Sequence, residues 1–158
     1  MAKLADVMTY FCLKYPHKDE LSKARLTKMI YLADWRMALD SSRQITNLTW
    51  TFNHYGPYLE AIRDAALNNP ALFDLKSEVN MYGSPKETIV LHPGVAVPNL
   101  TDNERKSLDH VIESTKSLNW NQFIKFVYST YPIVTQPRYV PLDLVELAST
   151  YRQVRTSL

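Results

Sequence analysis

The side chains with the reach to do acid–base chemistry are Asp34, Glu60 and Asp64, three carboxylates flanking the aromatic middle of the chain. Paired carboxylates can divide general-acid and general-base roles when their surroundings push their pKa values apart. Glu60 and Asp64 stand i, i+4 on an expected helix, however, and solvated helix faces carry such pairs routinely. His54 is the remaining base in reach of a small hydrolase built on Asp34 or Glu60. The four histidines, His17, His54, His92 and His110, are scattered, and no two have the spacing of a zinc-binding helix pair. Cys12 is the single cysteine; it falls on an apolar helical stripe, which reads as a small buried hydrophobe more readily than as a catalytic thiol. No serine sits in a G-x-S-x-G elbow. The expectation is a protein that is not an enzyme and holds no metal or cofactor.

Binding chemistry is better represented. Ten Tyr and three Trp occur in 158 residues, and Trp35, Trp50, Phe52, Tyr55 and Tyr58 crowd into one region. Trp35 and Trp50 read first as core. Tyr55 and Tyr58 flank Gly56 and Pro57, where a turn reaches the surface, and exposed aromatics with a polar tip favour protein interfaces. Lys18, Lys23, Arg25 and Lys28 form the densest basic stretch. Ahead of a β-hairpin it admits a winged-helix-like DNA-binding regulator, although Asp19 and Glu20 interrupt the run and a solvated helix face is the plainer reading.

The whole chain bounds these options. Eighteen basic and 16 acidic residues leave a formal charge of +2, too little for a field that drives nucleic-acid binding. Three glycines disfavour the Gly-rich phosphate loops of dinucleotide and P-loop folds. No segment approaches the roughly 20 apolar residues needed to cross a bilayer. Residues 1–13, with Asp6 inside their apolar periodicity, do not resemble a secretory signal, so a soluble cytoplasmic protein is expected.

The elements that must position these residues follow from periodicity. Leu4, Val7, Met8, Phe11 and Cys12 mark a first helix stopped by Pro16. A second runs from near Asp19 to Leu39, apolar around much of its circumference and therefore central. Leu48 to Phe52 fits a short strand or an extended loop. Pro57 suits the first turn of a third helix, whose buried side is Leu59, Ile62 and Ala66. Phe73, Leu75, Val79 and Met81 alternate with polar residues, and with a turn at Gly83-Ser84-Pro85 and a return strand Thr88–Leu91 they predict a hairpin. Thr101 with Glu104 and Asn119 with Gln122 are capping-box pairs opening two further helices. Trp120, Phe123, Ile124 and Val127 are the expected buried face of the second. Pro132, Pro137 and Pro141 argue against a helix across that stretch, and Leu144, Leu147, Ala148 and Tyr151 support a last one. The expected fold is mainly α with a small β-hairpin (α+β), a single compact domain over residues 1–158 with about six helices.

The run from Lys28 to Trp35, followed by Phe52 to Tyr58, resembles the Panacea domain family of SocA-like antitoxins and related phage-associated proteins. In that family a K-x-x-Y-x-A helix precedes a W-x-x-x-x-Y-G-P segment; Lys28, Tyr31, Ala33, Tyr55, Gly56 and Pro57 match. The hairpin, the helix capped by Thr101 and the helix around Trp120 follow in the family's order, whereas its frequent Pro-Trp is Pro132-Ile133 here. The resemblance implies an antitoxin that neutralises a co-encoded cognate toxin by direct binding, or an adaptor presenting the toxin to a protease such as ClpXP. The residues then expected to serve the partner are Lys28, Tyr31, Trp35, Trp50, Tyr55, Gly56, Pro57 and Tyr58.

Overall fold

The computed structural model describes residues 1–54 and 56–156. The chain begins with α1 (Leu4–Lys14), which buries Val7, Met8, Phe11 and Cys12 as their spacing predicts. A 3-10 turn over Lys18–Glu20 leads into α2 (Lys23–Ser41). Helix α2 starts four residues later than the near-Asp19 start expected, because Ser22 accepts a hydrogen bond from the Arg25 N–H at 3.1 Å and so caps it. It is the central helix: α1, α3, α4 and α7 all pack on it, and most of its residues are buried.

Strand β1 (Trp50–Asn53) lies between two short edge strands, β2 (Gly56–Pro57) and β5 (Pro141–Leu142). Phe52 pairs with Pro57 and Trp50 with Leu142, both antiparallel. Pro57 therefore belongs to a strand and not to the first turn of the third helix, which begins only at Ala61 as α3 (Ala61–Asn68). An edge strand tolerates proline because no ladder partner needs its missing N–H.

The hairpin forms from β3 (Phe73–Val79) and β4 (Pro85–Leu91), in register from Phe73↔Leu91 to Val79↔Pro85. Its alternation is honoured only near its base. Phe73 and Ile89 are buried and Leu75 is half-buried, while Val79 is 69% exposed and Met81, in the turn, 88% exposed. The base is tied to the body by the Ile89 N–H donating to the Leu21 carbonyl at 2.9 Å. The distal half carries the same pattern beyond the surface that could cover it.

Both capping boxes are present. Thr101 and Glu104 open α4 (Asp102–Thr115), and Asn119 and Gln122 open α5 (Trp120–Tyr128). Phe123 and Val127 are buried as expected, but Trp120, expected inside, is 46% exposed. Residues Tyr131–Thr135 form a further helix, α6, despite the prolines. Pro132 occupies its first turn, where a missing N–H breaks no helical bond, and Pro137 and Pro141 fall beyond its end. With α7 (Leu144–Thr156) the described residues hold seven α-helices, one more than expected. None is long and apolar enough to cross a membrane.

Candidate partner-binding site

Lys28, Tyr31 and Trp35 are spaced i, i+3, i+7 and share one face of α2, and that face points inward. Tyr31 is fully buried, with its hydroxyl 2.9 Å from Thr130 Oγ1 and its ring edge-on to Trp50 at 5.6 Å. Burial pushes its phenol pKa up. Trp35 stacks on Tyr131 at 6.4 Å and meets Tyr151 edge-on at 6.1 Å, fastening α6 and α7 to α2. Trp50 has no exposed surface, and its indole N–H donates to Asp34 at 2.9 Å. These three aromatics lie beneath the surface, so any contribution to binding is made by positioning what lies above.

Asp34 organises the segment that leads into β1. Its carboxylate accepts from the Ile45 and Thr46 N–H groups at 2.9 and 3.0 Å, from the Thr46 hydroxyl, from Trp50 and, at 3.4 Å, from Gln44. Burial raises its pKa to about 6, against the pull of these donors. With its oxygens engaged by residues 44–50, Asp34 has a structural assignment. Glu60 is exposed and accepts from Tyr58, and Asp64 is exposed on α3. Asp34 is thus buried in its own network, while Glu60 and Asp64 remain an exposed pair one helical turn apart.

Above the buried aromatics sits the β1–β2 turn. Gly56 has φ +83°, and a Cβ there would meet ring atoms of Tyr128 at 2.8 Å, so both conformation and space require glycine. Tyr128 in turn meets Phe52 edge-on at 5.9 Å. Tyr55 lies outside the described residues. Tyr58 follows the strand, half-buried, its hydroxyl donating to Glu60 Oε1 at 3.0 Å. Burial, then the bond to Glu60, raises its pKa.

Lys28 reaches the underside of this turn. It is 3% exposed, and its Nζ stands 5.9 Å from the centre of the Tyr58 ring, at the outer reach of a cation–π contact. Among the described residues no carboxylate lies within ion-pair distance of it. Desolvation lowers its pKa to about 8. The neighbouring charges are already matched: Glu87 binds Lys23 at 2.8 Å and Arg63 at 3.1 Å.

Of the basic stretch, Arg25 and Lys28 are buried and do not form the solvated face expected of them, while Lys18 is exposed and Lys23 is half-buried and paired with Glu87. Arg25 is buried, stacked over Phe123 at 4.4 Å, and donates to the Tyr15 hydroxyl and to the Thr115 and Leu118 carbonyls. Lys18 donates to the Leu13 carbonyl at 2.7 Å. Cys12 is buried, and burial pushes its thiol up to about 12, which holds it as an unreactive thiol at neutral pH.

Sequence reasoning missed Arg138 and Tyr139. Arg138 stacks over Phe52 at 4.6 Å and donates to the Asn53 and His54 carbonyls. Tyr139 is 67% exposed and held at φ +66°, its N–H donating to the Phe52 carbonyl at 2.7 Å. The prolines at 137 and 141 were the only local sign that this backbone is constrained. Together Arg138, Tyr139 and Tyr58 border the β1–β2 turn, whose Gly56 and Pro57, expected at the surface, are buried.

Residues 26–132 match the family described as antitoxin SocA-like, Panacea domain. The chain belongs to this family. The match runs from Leu26 within α2 to the start of α6 and contains Lys28, Tyr31, Trp35, Trp50 and Tyr55 to Tyr58, whereas α1, β5, α7, Arg138 and Tyr139 lie outside it. No curated protein and no solved structure matches the chain. Within this Panacea domain, Lys28 is a buried cation with no ion pair among the described residues, Tyr31 holds a hydroxyl bond in the core, and Gly56 makes a turn that admits no side chain.

Proposed function

We propose that this protein is an antitoxin that neutralises a co-encoded protein toxin by binding it directly, without catalysis, in the cytoplasm. The observation that carries the reading is membership of the SocA-like antitoxin family over residues 26–132. The surface around the β1–β2 turn supports it, since Tyr58 and Tyr139 offer aromatic area with polar tips above a rigid aromatic base. The DNA-binding alternative loses the exposed basic run that motivated it.

Co-expression with the adjacent gene tests the proposal. Growth is expected to stop when that gene is expressed alone and to recover when this chain is added. A neighbour that is harmless alone, or that stays toxic in the presence of this chain, contradicts the reading. The toxin's half-life during rescue separates occupancy from delivery to a protease such as ClpXP: unchanged under the first, shortened under the second.

A further inference from the structure

α2 carries two buried cations one turn apart, and they are treated differently. Arg25 has a stacking ring and three oxygen acceptors, all reached from Nη2, while its buried Nε has no hydrogen-bond partner among the described residues. Lys28 has, among the described residues, no hydrogen bond and no ion pair, only the Tyr58 ring. Lys28 is 3% exposed as a residue, and an ammonium held largely away from water without an acceptor is disfavoured, whereas a methionine of similar length would pack there without that penalty. The charges that could have answered Lys28 are committed elsewhere: Glu87 to Lys23 and Arg63, Glu60 to the Tyr58 hydroxyl.

We propose that Lys28 and the Tyr58 ring form a receptor for one carboxylate side chain of the protein partner, an aspartate or glutamate that supplies a counter-charge absent among the described residues. The inference rests on the reading of the protein as a binder of another protein. Entry is from the Tyr58 side, since Tyr58 is only half-buried while Tyr31 and Leu32 beside Lys28 on α2 are buried. A single point charge suits one carboxylate. A phosphate group would call for a second free cation, and both Lys23 and Arg63 are bound to Glu87. A carboxylate reaching Nζ forms a charge-assisted bond, and such a pair, once the partner covers it, acts mainly on the lifetime of the complex.

The test has two arms. In the first, the full chain labelled at lysine is titrated with sodium acetate, with sodium chloride and acetamide as controls, and the Lys28 side-chain resonances are followed by NMR. A saturable shift with acetate alone is expected, together with a titration midpoint that rises from about 8. No acetate-specific shift overturns the receptor. In the second arm, Lys28→Met and Lys28→Gln are measured for binding to the purified product of the adjacent gene. At least tenfold weaker binding is expected, with a melting temperature at or above that of the parent. A variant that folds and binds like the parent overturns the inference alone. A parent chain that binds no such product removes the antitoxin reading, and the proposed partner with it.

Discussion

Lys28 and Asp34 are buried ionisable groups on the same helix, and their linkage to folding has opposite signs. The Lys28 pKa is lowered to about 8, below its unfolded value of about 10.4, so the unfolded chain binds more protons between those limits. Stability attributable to Lys28 therefore rises as pH is raised from 8 towards 10. Denaturation of parent and Lys28→Met in parallel should show the gap between them closing over that window, by up to about 3 kcal/mol; a constant gap contradicts the account. The Asp34 pKa is raised to about 6, above an unfolded value of about 3.9, so here the folded chain binds more protons between the two. Its contribution grows as pH falls from 7 towards 4. The advantage of the parent over Asp34→Asn should widen in that direction, read from midpoints in urea. Trp50→Phe leaves Asp34 short of one donor and should lower stability by about 1–3 kcal/mol at pH 7.

At the scale of elements, the glycines discriminate between shape and space. Gly56, Gly83 and Gly94 all have positive φ, but only at Gly56 does a Cβ collide with a neighbour. Gly83→Ala is expected to lower stability by about 1 kcal/mol from backbone strain alone, and Gly56→Ala by clearly more, because the Tyr128 ring must also move. Equal losses in thermal unfolding would mean that Tyr128 is free to yield. The helices were legible because their signals are local: capping boxes at Thr101 and Asn119, stripes such as Val7, Met8 and Phe11, and the hairpin's alternation. What escaped depended on distant partners. Pro57 carries a helix-start signal that pairing with Phe52 overrides, and the exposure of Met81 reflects a hairpin longer than the body beneath it. Lys28 and Arg25 carry the composition of a solvated face, and only the packing of α2 against its neighbours shows that they are inside. The aromatic crowding around Trp35 and Trp50 was visible from composition, whereas the strained Tyr139 was not.

For the molecule as a whole, a nearly neutral charge and a rigid aromatic base suit recognition by shape, with one buried cation adding specificity. Tyr58 belongs to that surface more than to the core, so Tyr58→Ala should weaken partner binding at least tenfold while shifting the melting temperature by only a few degrees. Losses of fold and binding in step would return Tyr58 to the core. The most direct measurement is calorimetric titration of the purified chain with the purified product of the adjacent gene. A saturable, stoichiometric complex is expected, with an affinity that falls in Tyr58→Ala; a parent chain that gives no binding at micromolar concentrations overturns the antitoxin reading.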